Sequence, residues 1–284
     1  MPERQGRIPL RERVRQLTRI YGVAERAIKD ELLMVGVGNY MELKAIKVQE
    51  NINRIIRMLN KAAIRWSKMA VPEAYKKAYD ISVTRLEILG AERDPEFRKK
   101  THAQTIEYDV EITMDDLIRA NQSIKINTDM YLYLVRTSSR GLVQIQEFDF
   151  RDEEFVEGLL GKALRAGETR AFARNIIMEH IRSEVGDGKF IKINGRNYNM
   201  RKYADLVAKV RLRTVQTEAV LNSCKEYDND LVEVSDHGSE FVDICLEYEG
   251  NVYSISGKST VYPFLPEYPP YHPRCQHHIR PTSE

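Results

Sequence analysis

The residues best suited to chemistry crowd toward the C-terminal end: His237, Cys245, His272 and Cys275, with His277 and His278 just behind. A structural zinc ion takes four nitrogen or sulfur ligands in a tetrahedron, commonly supplied as close pairs. His272 and Cys275 form such a pair around Pro273, Cys245 offers a third ligand, and His237 a fourth. His277 or His278 can take the place of His237. A tail poor in large aliphatic residues gains much from a metal cross-link. The competing reading makes Cys245 and Cys275 small buried hydrophobes and has the histidines bonding loop carbonyls. Cys224, on the preceding helical stretch, reads as core.

The same region raises the question of catalysis. Asp236-His237 beside Glu240 and Asp243 contains residue types that can ligate a metal or move protons. That would make the chain a metal-dependent nuclease or toxin-like hydrolase. Asp-His-Gly is too short to carry such a reading, and Asp236 can equally cap a turn. Gly36-Val37-Gly38 lacks the Lys-Ser/Thr of a phosphate loop, and no Gly-x-Ser-x-Gly element is present. The expectation is a protein without catalytic or organic-cofactor residues.

Elements that position the tail can be read from periodicity. Leu10, Val14, Leu17, Ile20-Tyr21, Ala24, Ile28 and Leu32 recur at helical spacing, and Gly36-Val37-Gly38-Asn39 ends that helix near Met34. A second helix is expected from Tyr40 to Met69, with Ile46, Ile52, Ile55-Ile56, Leu59 and Ala63 inside. Pro72 then opens a third, to Leu89. Further helical patterns cover Met114–Ser139 and Asp152–Val185, where Gly186-Asp187-Gly188 stops the chain. Phe190–Tyr198 reads as a hairpin about Asn194-Gly195, Met200–Ser223 as a helix and Leu231–Val234 as a strand. Pro263, Pro266, Pro269, Pro270 and Pro273 keep the remainder as strand and loop. The expected fold is α+β, mostly α. An elongated N-terminal helical domain over residues 1–188 precedes a small C-terminal α+β module over residues 189–284.

Composition narrows the partners. With 284 residues, 42% hydrophobic and 30% charged, the chain can build a sizeable core under an ionic surface. No apolar run is long enough to span a membrane, and the N-terminal residues do not form a secretory signal. Three cysteines cannot complete a disulfide framework, which favours a reducing site of assembly. Net charge is +2, yet basic residues outnumber acidic ones over residues 1–100 and the balance reverses afterwards. Arg7, Arg11, Arg13, Arg15 and Arg19, then Arg54, Arg57, Lys61, Arg65 and Lys68, offer non-specific contact with double-stranded DNA. Interleaved Glu12, Glu25, Glu31, Glu42 and Glu50 favour helices that partly pair with themselves, and contact with a protein through apolar stripes.

From Gly195 onward the order of features becomes distinctive. Gly195-Arg196, Tyr203, Arg213-Thr214 and Glu218 precede Leu231-Val232-Glu233-Val234-Ser235-Asp236-His237. Cys245 and Gly250-Asn251-Val252-Tyr253-Ser254-Ile255-Ser256-Gly257 follow, then Tyr262-Pro263 and His272-Pro273-Arg274-Cys275-Gln276-His277. This series resembles the phage minor capsid protein family, which is similar to the phage Mu F-like head morphogenesis proteins. The resemblance is dense over residues 190–281 and rests only on helical character and order before them. It implies a minor structural, non-catalytic protein of a tailed-phage head, found in the virion near the portal vertex. Such a protein acts in head assembly and/or DNA packaging and ejection, with the portal protein and/or the major capsid protein as partners. Many relatives carry a Cys-x-x-Cys pair where this chain has Val242 and Cys245, and close on His-Pro-Asn-Cys-Arg-His where it has Arg274 and Gln276. The chain ends soon after Cys275, so the toxin that some Mu F-like proteins append is not expected. Gly195 and Arg196 are expected to build the hairpin, and Arg213 and Glu218 to bridge helix to tail.

Overall fold

In a computed structural model the apolar stripe of Leu17, Tyr21, Ile28 and Leu32 is the buried face of helix α1 (Arg11–Met34). The structure describes residues 11–35, 41–140, 185–237 and 243–283, together with residues 179 and 183. Most of the helical pattern expected over Asp152–Val185 lies outside them. The described chain is mostly helical, with short strands in two small sheets, as the sequence leads one to expect. No helix among the described residues is long and apolar enough to cross a membrane.

Helix α2 runs from Met41 to Ile88 without a break at Pro72, which corrects the expectation of two helices meeting there. An interior proline costs roughly 3 kcal/mol through a lost hydrogen bond and a ring clash. Burial on both sides offsets it: Trp66, Ala70 and Val71 before Pro72, and Ala74, Tyr75 and Ala78 after it, are none of them more than 2% exposed. The Trp66 indole also donates to the Arg13 carbonyl at 2.9 Å.

Helix α3 (Lys100–Arg140) starts well before the expected Met114. Its first turns bury polar residues, Asp109 and Thr113 among them, so a search for apolar periodicity passes over them. The hairpin forms as expected, from β1 (Ile191–Ile193) and β2 (Arg196–Tyr198). Asn194 and Gly195 both take positive φ, 50° and 73°, as a two-residue turn of this hand requires. Helix α4 follows (Met200–Glu226), then β3 (Leu231–Val234), the single turn α5 (Asp243–Leu246), β4 (Val252–Ser254) and β5 (Ile279–Pro281).

The chain forms two compact units. One comprises Thr18–Ala62 and Ile118–Tyr203, and the expected boundary near residue 188 falls inside it. Here the Tyr21 hydroxyl donates to Asn121 at 3.0 Å, and Asn121 donates to Asn60 at 2.7 Å, a buried polar thread within the apolar stripe. Ser123 bonds both main-chain groups of Lys192, and Asn127 donates to the Phe190 carbonyl, which fixes the hairpin on α3. Gly188 ends the preceding helical turn at φ 65°. A Cβ there would come within 2.7 Å of the Lys29 side chain, so no other residue fits without displacement.

The second unit comprises Met1–Leu17, Ala63–Leu117 and Ala204–Glu284. Its sheet has the order β4-β3-β5, with both neighbours antiparallel to β3. Val232, Val234, Tyr253 and Ile279 from the strands pack on Val220, Leu221 and Cys224 of α4, so Cys224 is core as expected. Burial pushes its thiol pKa up to about 12. Thr217 of α4 donates to the Pro269 carbonyl at 2.8 Å, and Arg85 of α2 donates to the Pro281 carbonyl. At the end of α4, Glu226 is fully buried. Its carboxylate accepts from the Tyr79 hydroxyl at 2.7 Å, lies 3.1 Å from His102 Nε2, and pairs with Arg93. His102 Nδ1 is in turn 2.7 Å from the Tyr75 hydroxyl.

Candidate metal centre

Strand β3 has a neighbour on each side, and this brings two distant loops to one place. At its far end, Val234 pairs with Ile279, and its N–H donates to the Asn251 carbonyl at 3.0 Å. The segment leading into β4 and the segment leading into β5 therefore arrive at the same end of the sheet. On the first, α5 presents Cys245, whose carbonyl accepts the N–H groups of Tyr248 and Glu249 at 3.1 Å each. Gly250, at φ 73°, then turns the chain into β4. On the second, Cys275 N–H donates to the His272 carbonyl at 2.9 Å, closing the turn around Pro273.

At that junction the thiols of Cys245 and Cys275 and a ring nitrogen of His277 lie within 4.8 Å of one another, all three residues buried. His277 Nδ1 is 3.5 Å from Cys275 Sγ. A tetrahedral zinc with Zn–S of about 2.3 Å and Zn–N of about 2.0–2.1 Å holds its sulfur and nitrogen about 3.6 Å apart. Donor types, burial and spacing thus fit a metal ion, and the three residues can hold one. Burial, and then the neighbouring Cys275, push the Cys245 thiol up to about 11, so Cys245 gives up its proton only to a cation that displaces it.

On the other side of the imidazole, His277 Nε2 lies 3.1 Å from Glu249 Oε1. The carboxylate is off the line of a ring N–H, so the buried Nε2 has no aligned hydrogen bond. Glu249 also accepts the main-chain N–H of His237. Tyr271, stacked on Tyr248 at 4.4 Å, has a buried hydroxyl without a hydrogen-bond partner. Its pKa is raised by burial first and by the nearby cysteines and tyrosines.

Of the four residues expected from sequence, the structure brings Cys245 and Cys275 together, and His237 and His272 stand outside the group of three. The His237 ring lies against those of His277 and His278, at 5.1 and 5.7 Å between centroids, and its Nε2 bonds Ser235 Oγ at 2.9 Å. His272 sits in the turn, its Nδ1 accepting the Arg274 N–H at 3.3 Å. Burial, with His277 and Arg213 nearby, lowers its pKa and keeps it neutral. A signal for His277 was present in the sequence. Cys275, His277, Ile279 and Pro281 alternate with Gln276, His278 and Arg280 on the approach to β5, and only the first set is buried. Period two puts Cys275 and His277 on one face. Compared with known proteins, the chain matches no family model, no curated protein and no solved structure.

Proposed function

We propose that this chain is a non-catalytic structural protein of a tailed-phage head, portal-associated in the virion, that acts in head assembly and/or DNA packaging and ejection. One observation supports the reading above others. The residues that carry the resemblance, from Leu231 through Gly250 and Tyr253 to Cys275 and His277, are the ones that build one sheet and its metal-ligand junction. On this reading a zinc ion, held by Cys245, Cys275 and His277, ties the corner before β4 to the segment before β5. When bound, it supplies a cross-link between loops that have little apolar material of their own. Partners are the portal protein and/or the major capsid protein. The test is co-expression with a tailed-phage portal protein and major capsid protein, followed by co-purification and by analysis of purified particles. Presence in particles with a portal partner supports the reading, and absence from both overturns it.

The alternative, a metal-dependent nuclease or toxin-like hydrolase, needs a metal that a substrate can reach. Both thiols are fully buried, which favours a staple. Zinc at stoichiometry without turnover is the expected result. Nuclease activity abolished by His237→Ala would reverse the assignment.

Arg54, Arg57, Lys61, Arg65 and Lys68 are all exposed on α2, and no acidic residue lies between Glu50 and Glu73. These cations suit sequence-independent contact with the packaged double-stranded DNA. Affinity for a short duplex is expected to fall with log salt at a slope of about −0.9 per phosphate neutralised. Each of these residues changed to glutamine should flatten that slope by about one. Binding that ignores salt, or a slope unmoved by the substitutions, removes DNA from the list of partners.

A further inference from the structure

The zinc reading leaves open which nitrogen of His277 binds the ion and what makes it available. A neutral imidazole has one N–H and one lone pair, and the partner of the N–H decides which nitrogen is free. The structure presents two unlike neighbours to the two nitrogens. Nδ1 faces the Cys275 thiol at 3.5 Å, and Nε2 faces the Glu249 carboxylate at 3.1 Å. Glu249 therefore lies across the ring from the thiols.

We propose that Glu249 is the positioning residue of this centre: it holds the Nε2–H of His277 and so leaves the lone pair on Nδ1, the nitrogen beside the Cys275 thiol.

Three features fix the carboxylate for this task. Glu249 is one turn from Cys245 and bonded to its carbonyl through the main chain, so ligand and positioning group move together. Its side chain is 7% exposed and that of His277 is 3% exposed, so water does not compete for the contact. The main-chain N–H of His237 also binds Oε1, which anchors the carboxylate from the end of β3. Glu249 Oε1, at 3.1 Å, is the carboxylate oxygen within reach of a buried Nε2 that otherwise lacks a hydrogen-bond partner. Carboxylate–histidine–metal relays of this kind orient the ligand and raise its basicity, and losing the carboxylate typically weakens metal binding 10–100-fold.

The inference rests on the zinc reading, and the experiment separates the two. Full-length wild-type protein, Glu249→Gln, Glu249→Asp and Cys224→Ser are titrated with zinc against a chromogenic chelator. The nitrogen that binds is identified by ¹⁵N NMR of the histidine rings. Wild type is expected to take up one zinc through Nδ1 of His277, with Cys224→Ser unchanged. Glu249→Gln is expected to bind roughly tenfold or more weakly, with Glu249→Asp partly restored. Zinc held equally tightly by wild type and Glu249→Gln, or bound through Nε2, overturns the role of Glu249 and leaves the staple standing. Wild-type protein that takes up no zinc overturns both. Thermal unfolding of the metal-free proteins supplies the control. A purely structural Glu249 would lower that midpoint and leave zinc affinity unchanged.

Discussion

Replacing Glu226 by alanine is expected to destabilise the protein by about 3–5 kcal/mol, the range for breaking a buried ionic cluster by removing one partner. The carboxylate is fully buried at the end of α4 and gathers groups from three other places in the chain. These are Tyr79 of α2, His102 of α3 and Arg93 of the connection between them. Alanine would leave a tyrosine hydroxyl and an imidazole facing a void and would take the carboxylate from the half-exposed Arg93 guanidinium. The main-chain bond from Asp94 N–H to the Glu226 carbonyl, 2.7 Å, survives the change, so the connection stays tethered while its side-chain anchor is gone. Glu226→Gln keeps the shape and one acceptor and should cost less, about 1–3 kcal/mol. Arg93→Ala should cost less again, about 1 kcal/mol or below, because Arg93 is half exposed. Urea unfolding of the three variants gives this order. A Glu226→Ala protein within about 1 kcal/mol of wild type would show that the cluster is satisfied by solvent.

Asp109→Asn is expected to do the opposite and stabilise the protein at neutral pH. Asp109 is 6% exposed on α3, and its Oδ2 finds no hydrogen-bond partner; nor does Thr113 Oγ1 one turn along. Burial, and then the Glu218 carboxylate, push its pKa up to about 6, with Arg211 pulling weakly the other way. Glu218 itself is raised, by burial. An unfolded aspartate titrates near 3.9, so between about pH 4 and 6 the folded chain holds a proton that the unfolded chain has lost. Stability from this site is therefore complete below the unfolded value and drains away as pH rises through about 6. After allowance for screening, the loss is about 1–2 kcal/mol. Asparagine carries no proton to lose, so Asp109→Asn should remove that segment of the stability–pH curve and exceed wild type above pH 6. Parallel curves for the two proteins from pH 4 to 8 would refute the assignment.

How much could be read from the sequence differed by element. The hairpin at Asn194-Gly195 was fully legible, because a two-residue turn of positive φ has few compatible sequences. The stop at Gly186-Asp187-Gly188 was legible for the same kind of reason, and α1 because its inner face is apolar apart from Glu25 and the Tyr21 hydroxyl. Pro72 misled, since a local cost was outweighed by the buried residues on either side, which periodicity within one helix cannot weigh. The start of α3 was hidden because it buries Asp109 and Thr113. Half of the candidate site followed from composition, as Cys245 and Cys275 are rare residue types in a short tail. His277 was left as a substitute because pairing was sought by closeness in sequence around a turn, whereas the strand approaching β5 selects by alternation. Glu249 carried no signal at all. In a chain with 42 acidic residues, a single glutamate stands out only once its neighbours in space are known.

β3 is the middle strand of a sheet whose third member, Ile279–Pro281, is farther from it along the chain than β4 is. During synthesis β3 and β4 emerge first and can pair at once, but one border of β3 stays bare until residue 281 has left the ribosome. Arg85 waits through the same interval for the carbonyl it will bind. A premature stop anywhere before Ile279 would make that bare border permanent and offer it to other chains as a template for aggregation.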